Sequence, residues 1–169
     1  VEDGVTARTL ADAIQALLYD PIPLAALLHP HADALLREAA VLPVHPVAQL
    51  LLSASRASSP ARFQHAIHAM ALNGALLLAQ GDRSADLRSA MLGGLLHDLG
   101  EMYIGPEFGE ADAERTLDIL SYQQLVVHPH VGSLLLKQLT DYPAPIAQAI
   151  AEHHERLDGS GFPHCCNPE

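Results

Sequence analysis

Tryptophan is absent, lysine occurs once (Lys137), and Phe, Tyr and Trp together make up only 4% of the 169 residues. With aromatic and β-branched residues sparse and Ala and Leu abundant, the composition argues against a sheet-built core and for helix. Cations are short as well: nine Lys and Arg stand against twenty Asp and Glu, a formal charge of −11. Such a surface repels polyanions, which excludes broad binding to DNA or RNA through phosphate neutralisation. A small anion can bind only where local cations offset the field. The only cysteines are the neighbours Cys165 and Cys166, which make no disulfide framework and fit a reducing compartment. No apolar run approaches the roughly 20 residues of a membrane span, and no signal-peptide pattern is present. The expectation is a cytoplasmic protein with one real core and no membrane partner.

What the chain does have is helical periodicity. Ala7, Leu10, Ala11, Ile14, Leu17 and Leu18 recur at helical spacing from Thr6, and Pro21 and Pro23 stop that run. Short helical pieces follow at 24–28 and 32–40, parted by His29-Pro30-His31. Leu42-Pro43-Val44-His45-Pro46 is another break, because residues before proline avoid the α region. Residues 1–43 read as a helical extension of the main domain. A helix is predicted over 47–57, and Ser59 as N-cap with Pro60 at the first helical position starts another that runs to Ala79 before Gly81-Asp82. Its apolar face is Ile67, Met70, Ala71, Gly74, Leu77 and Leu78, and His65 lies in its first turns. The spacing predicts a further helix over 84–99, with His97-Asp98 at its C-terminal end and Gly100 closing it. Residues 102–120 read as a loop with a short helix. Ser121 is placed as the cap of a helix to Leu139, whose stripe Leu125, His128, Gly132, Leu135, Leu139 puts a histidine on an inward apolar position. Tyr142-Pro143-Ala144-Pro145 starts the last helix, with Ile146, Ile150 and then His153/His154 on its buried side.

Histidine is the anomaly, at eleven residues. A single buried histidine is ordinarily a hydrogen-bonded core residue, and His29, His31, His45 and His164 are read that way or as exposed; His68 and His130 are neighbours of better candidates. The set His65, His97, Asp98, His128, His153 and His154 resists that reading. Buried together without an ion, its members would cost a few kcal/mol for each unsatisfied group. Adjacent helical residues point about 100° apart, so His97 and Asp98, like His153 and His154, serve two neighbouring ions more easily than one. A carboxylate between two histidine-rich half-sites can bridge two metals, the arrangement that clamps attacking and leaving oxygens in phosphoryl transfer. Imidazole and carboxylate donors suit iron, manganese or zinc.

These residues carry a family resemblance. Leu96-His97-Asp98-Leu99-Gly100 resembles the signature of the HD phosphohydrolases, and His153-His154-Glu155-Arg156-Leu157-Asp158-Gly159-Ser160-Gly161-Phe162-Pro163 resembles the longer signature of the HD-GYP branch. His65, on a helix 32 residues before His97, occupies the place of the family's first ligand, and His128 that of the ligand between the two signatures. The resemblance runs from about Val47 to Pro163. It implies an all-α, HD-type helical bundle over residues 44–169, with a truncated or discontinuous C-terminal end. It implies two divalent ions, iron or manganese, that activate a water for attack on phosphorus. His65, His97 and Asp98 serve one ion and His128, His153 and His154 the other, with Asp98 bridging. The implied substrate is the bacterial second messenger cyclic di-GMP or a related phosphate ester. Arg156, Asp158, Gly159, Gly161 and Phe162 then hold phosphate or shape the pocket mouth, although Asp158 before Gly is also what a turn wants.

Four departures from the family pattern accompany the match. Glu101 stands where the family has lysine, which either adds a metal ligand or weakens substrate binding. Phe162 keeps the ring of the signature tyrosine without its hydroxyl. Ala61 stands four residues before His65, where three-metal members carry glutamate. No aspartate follows Asp158, where the family's last ligand is expected; thiolate ligation by Cys165 or Cys166 is the alternative. Two rival readings stay open: a regulatory module that keeps the fold and acts through signalling-protein partners, and an HD phosphohydrolase for another nucleotide.

Overall fold

The computed structural model describes residues 4–81, 86–104 and 118–164. These are helical, with no strand among the described residues, so the all-α expectation holds. The chain packs as two compact units, Val1–Leu95 and Leu96–Glu169. Among the described residues no single helix is long and apolar enough to cross a membrane.

The first unit begins with α1 (Ala7–Tyr19), whose N-terminus is closed by a Thr6/Thr9 capping box. α2 (Pro23–Leu28) continues through a single 3-10 turn at His29–His31 into α3 (Ala32–Ala40). α4 (Pro46–Ser58) and α5 (Pro60–Gln80) follow. His45 is a structural residue: its Nδ1 accepts the Val47 amide at 3.1 Å and caps α4. Ser59 caps α5 as the sequence predicts, and Gly81 ends it in the left-handed conformation at φ 68°. Leu10, Ile14 and Leu17 of α1, Leu28, Leu35, Leu52, Ile67 and Met70 form the core together with Met91 and Leu92 of α6 (Leu87–Leu96). Each such buried side chain contributes about 1.5–3 kcal/mol of transfer free energy.

The second unit holds a 3-10 turn (Leu99–Tyr103), α7 (Ile119–Leu125), α8 (His128–Leu139) and α9 (Ala144–Glu152). α8 packs against both the 3-10 turn and α9, over a core of Leu99, Leu125, Leu136, Ile146, Ala147 and Ile150.

Two predicted helices are corrected here. The helix expected to run to Leu99 ends at Leu96, leaving His97 and Asp98 in a turn. The single helix expected from Ser121 to Leu139 is two, capped by Asp118 rather than Ser121 and broken at Val126-Val127. Pro129 causes the break. It has no N–H to give the Leu125 carbonyl four residues back, and its ring collides with that carbonyl in a continuous helix. The inward face of α8 is accordingly His128, Gly132, Ser133 and Leu136, while Leu139 is exposed. The predicted helix start at Ser84, the Gly105-Pro106 loop and the Cys165-Cys166 pair lie outside the described residues.

Candidate metal centre

Asp98 is the N-cap of the 3-10 turn that replaces the last turn of the expected helix. Side chains three residues apart eclipse in a 3-10 helix, so Glu101 stacks on the same side as Asp98, and its amide donates to the Asp98 carbonyl at 2.9 Å. Both carboxylates are buried, at 5% and 1% exposure. Gly100 sits between them for a steric reason: a Cβ there would land on the His128 carbonyl oxygen and 2.9 Å from the Gly132 amide nitrogen. The close backbone approach of the 3-10 turn to α8 is what sets Asp98 beside His128.

Both inward histidines of α8 and α9 are oriented by a helix-end carbonyl three residues back. His128 Nδ1 bonds the Leu125 oxygen at 2.6 Å, the carbonyl that Pro129 cannot serve. His153 Nδ1 bonds the Ile150 oxygen at 2.7 Å at the end of α9, where the helix leaves carbonyls without internal donors. A carbonyl only accepts, so each Nδ1 carries a proton and each Nε2 is turned inward, the orientation that a backbone carbonyl commonly gives a metal-ligating imidazole.

The inward atoms form a nearly equilateral triangle. His128 Nε2 lies 3.3 Å from His153 Nε2, and Asp98 Oδ1 lies 3.3 Å and 3.4 Å from the two. His154 Nε2 adds a fourth atom 3.4 Å from His128 Nε2. Two imidazoles whose Nδ1 atoms already hold a proton face each other and a carboxylate oxygen, an arrangement that calls for a proton or a metal cation among them. The point equidistant from the three corners is about 1.9 Å from each, just short of metal–ligand bonds of about 2.0–2.2 Å. His128 Nε2, His153 Nε2 and Asp98 Oδ1 would together hold a divalent ion. The other carboxylate oxygen, Oδ2, faces His97 Nε2 at 2.8 Å, so Asp98 presents one oxygen to each side.

The second signature wraps over this cluster. The Phe162 amide donates to the His154 carbonyl at 3.3 Å, and the Phe162 ring stacks on the His154 imidazole at 4.5 Å. Gly161 is buried in the fold-back, where a Cβ would strike the His154 carbonyl oxygen and the Arg156 amide. Gly159 takes φ 74°, a conformation glycine adopts without strain. Tyr122 meets the edge of Phe162 at 6.1 Å. These two rings, His154, Arg156 and Ser160 line a pocket of about 290 Å³.

Burial, and then the neighbouring His153 and His128, hold the His154 pKa down to about 3. In the metal-free protein the folded state thus refuses a proton that the unfolded chain accepts near its ordinary value of about 6.5. Stability is present in full above that value and is lost as pH falls from there toward the folded value. The melting temperature of chelator-treated protein should fall between pH 7.5 and pH 5, and His154→Gln should flatten the fall.

Residues 62–166 match the HD domain family. The chain belongs to that family. It is also 31% identical over 119 residues to a cyclic di-GMP phosphodiesterase of Pseudomonas aeruginosa, an alignment covering 70% of this chain and 28% of that protein. No solved structure matches. Taken with the second signature, the chain is an HD-GYP-like HD domain.

Of the residues expected at the HD centre, the structure brings together His97, Asp98, His128, His153 and His154 in the second unit. The histidines do not project from within helices as expected: His97, His153 and His154 lie just past helix ends, and His128 opens one. His65 lies half-buried on α5 in the first unit. Of the expected substrate residues, Phe162, Gly161 and Arg156 line the pocket. Asp158 is exposed and accepts from the Ser160 amide and hydroxyl at 3.0 and 2.7 Å; those bonds lower its pKa and make it a turn residue. Sequence reasoning missed the Leu125 and Ile150 carbonyls, for which Pro129 and the end of the Ile146/Ile150 stripe were the available signals.

Proposed function

We propose that this domain hydrolyses a phosphodiester bond of cyclic di-GMP in bacterial second-messenger signalling, as a cytoplasmic protein. The observation that carries the reading is the triangle of His128 Nε2, His153 Nε2 and Asp98 Oδ1, all with edges of 3.3–3.4 Å. The choice of substrate is supported by the His153–Pro163 signature and by the relative from Pseudomonas. Two divalent ions, iron or manganese, are proposed, with His65, His97 and Asp98 on one side and His128, His153 and His154 on the other. Bound there, they supply Lewis acidity and an activated water at neutral pH.

The chain's own part is positioning. The Leu125 and Ile150 carbonyls lock two imidazoles with their Nε2 atoms inward, and Asp98 offers an oxygen to each side. Phe162 shields one face of His154 from water. The exposed Arg156 at the pocket rim supplies the local cation that a phosphate needs on a surface of net negative charge. A regulatory module acting through protein partners is the second reading, favoured by one observation: the residue in the family's lysine place is the buried carboxylate Glu101.

The test is reconstitution of the protein with Fe(II) or Mn(II), followed by turnover of cyclic di-GMP beside bis(p-nitrophenyl) phosphate. Preferential turnover of cyclic di-GMP is expected. Hydrolysis of the generic diester alone sinks the substrate assignment, and bound metal with no turnover of either leaves the regulatory module.

A further inference from the structure

Glu101 is the residue of the second unit that the family pattern leaves unexplained. Lysine belongs in its place in the family pattern, yet its side chain is buried, at 1% exposure. The 3-10 turn eclipses it with Asp98. A carboxylate oxygen of Glu101, one of Asp98 and a ring nitrogen of His128 lie within 4.8 Å of one another, and all three residues are buried. A lysine there would present an ammonium to the substrate. A glutamate at the same place presents two oxygens to the same centre.

We propose that Glu101 is a resident metal ligand, so that this centre carries two protein carboxylates, Asp98 and Glu101, on the ion they share with His128. The inference rests on the metal-centre reading above and extends its ligand set. Two oxygen donors and one imidazole make the harder of the possible environments, which suits manganese over softer ions. It also accounts for a charge reversal beside a phosphate site: the anion is neutralised by the metal, and the attraction for substrate is left to the ions and to Arg156.

The probe is Mn(II) itself. Wild type, Glu101→Gln, Glu101→Asp and Glu101→Lys are stripped with chelator, checked by circular dichroism, and titrated with Mn(II) by calorimetry and electron paramagnetic resonance. Glu101→Gln keeps the shape and removes the charge. It is expected to weaken at least one Mn(II) site by about tenfold or more and to shrink the rise in melting temperature that Mn(II) produces. Glu101→Asp, with its oxygen drawn back by one methylene, should bind between wild type and Glu101→Gln, and Glu101→Lys should bind weakest. Equal Mn(II) stoichiometry and affinity, within twofold, in wild type and Glu101→Gln overturns the proposal. Wild-type protein that binds no Mn(II) overturns both this proposal and the metal-centre reading. Wild-type protein that binds Mn(II) and leaves cyclic di-GMP intact, with Glu101→Gln weakened, supports this proposal and sinks only the substrate reading.

Discussion

Replacing Asp98 by alanine is expected to remove most of the bound divalent metal and to lower phosphodiester hydrolysis by at least about 10³-fold, the scale on which groups that act as one catalytic unit fail together. The expectation follows from geometry. One carboxylate contributes Oδ1 to the triangle with His128 and His153, and Oδ2 to His97 at 2.8 Å. No imidazole in the cluster can substitute for a group that reaches both sides. The response of stability to metal separates a ligand from a packing residue. In excess metal, wild type gains about 4 kcal/mol at a thousandfold excess over Kd, and the variant should gain almost none. Calorimetry with and without Mn(II), together with metal analysis of the purified proteins, checks both arms. A variant that unfolds early in the metal-free state and still binds metal would show that Asp98 only packs.

The parts of this centre that were legible in the sequence are those written in side-chain identity. The His-Asp pair and the His153–Pro163 signature name their own chemistry, and α5 announces both its ends with Ser59-Pro60 and Gly81. The parts that were not legible are written in backbone hydrogen bonds. A periodic stripe through Leu125, His128 and Gly132 suits one helix as well as two, and only the missing Pro129 amide decides between them. Once the helix is broken there, His128 stops being an inward residue of a long helix and becomes its first residue, with its ring tied to the carbonyl that proline vacates. The five-residue 3-10 turn has no periodicity to detect at all. Glu101 therefore reads from sequence as a departure, and its burial beside Asp98 appears only when the turn eclipses them.

The same turn makes Gly100 sensitive to any added side chain. A Cβ at Gly100 would be driven into the His128 carbonyl oxygen, with the Gly132 amide 2.9 Å away; both obstacles are backbone, so no side-chain rotation relieves them. The turn and α8 must separate. That separation draws Asp98 away from His128 and opens the 3.3 Å edge between them. Gly100→Ala is expected to destabilise the protein by about 3 kcal/mol, the upper range for overpacking a close contact, and to weaken metal binding in the same variant. Gly93, seven residues earlier in α6, is the control. A Cβ there meets nothing within 4 Å, so Gly93→Ala should raise stability by about 0.5–1 kcal/mol through helix propensity alone and leave metal affinity unchanged. Urea unfolding midpoints and Mn(II) titrations of the two variants decide the matter. If Gly100→Ala unfolds at the wild-type midpoint and holds metal as tightly, the close approach of the 3-10 turn to α8 is not what builds this centre.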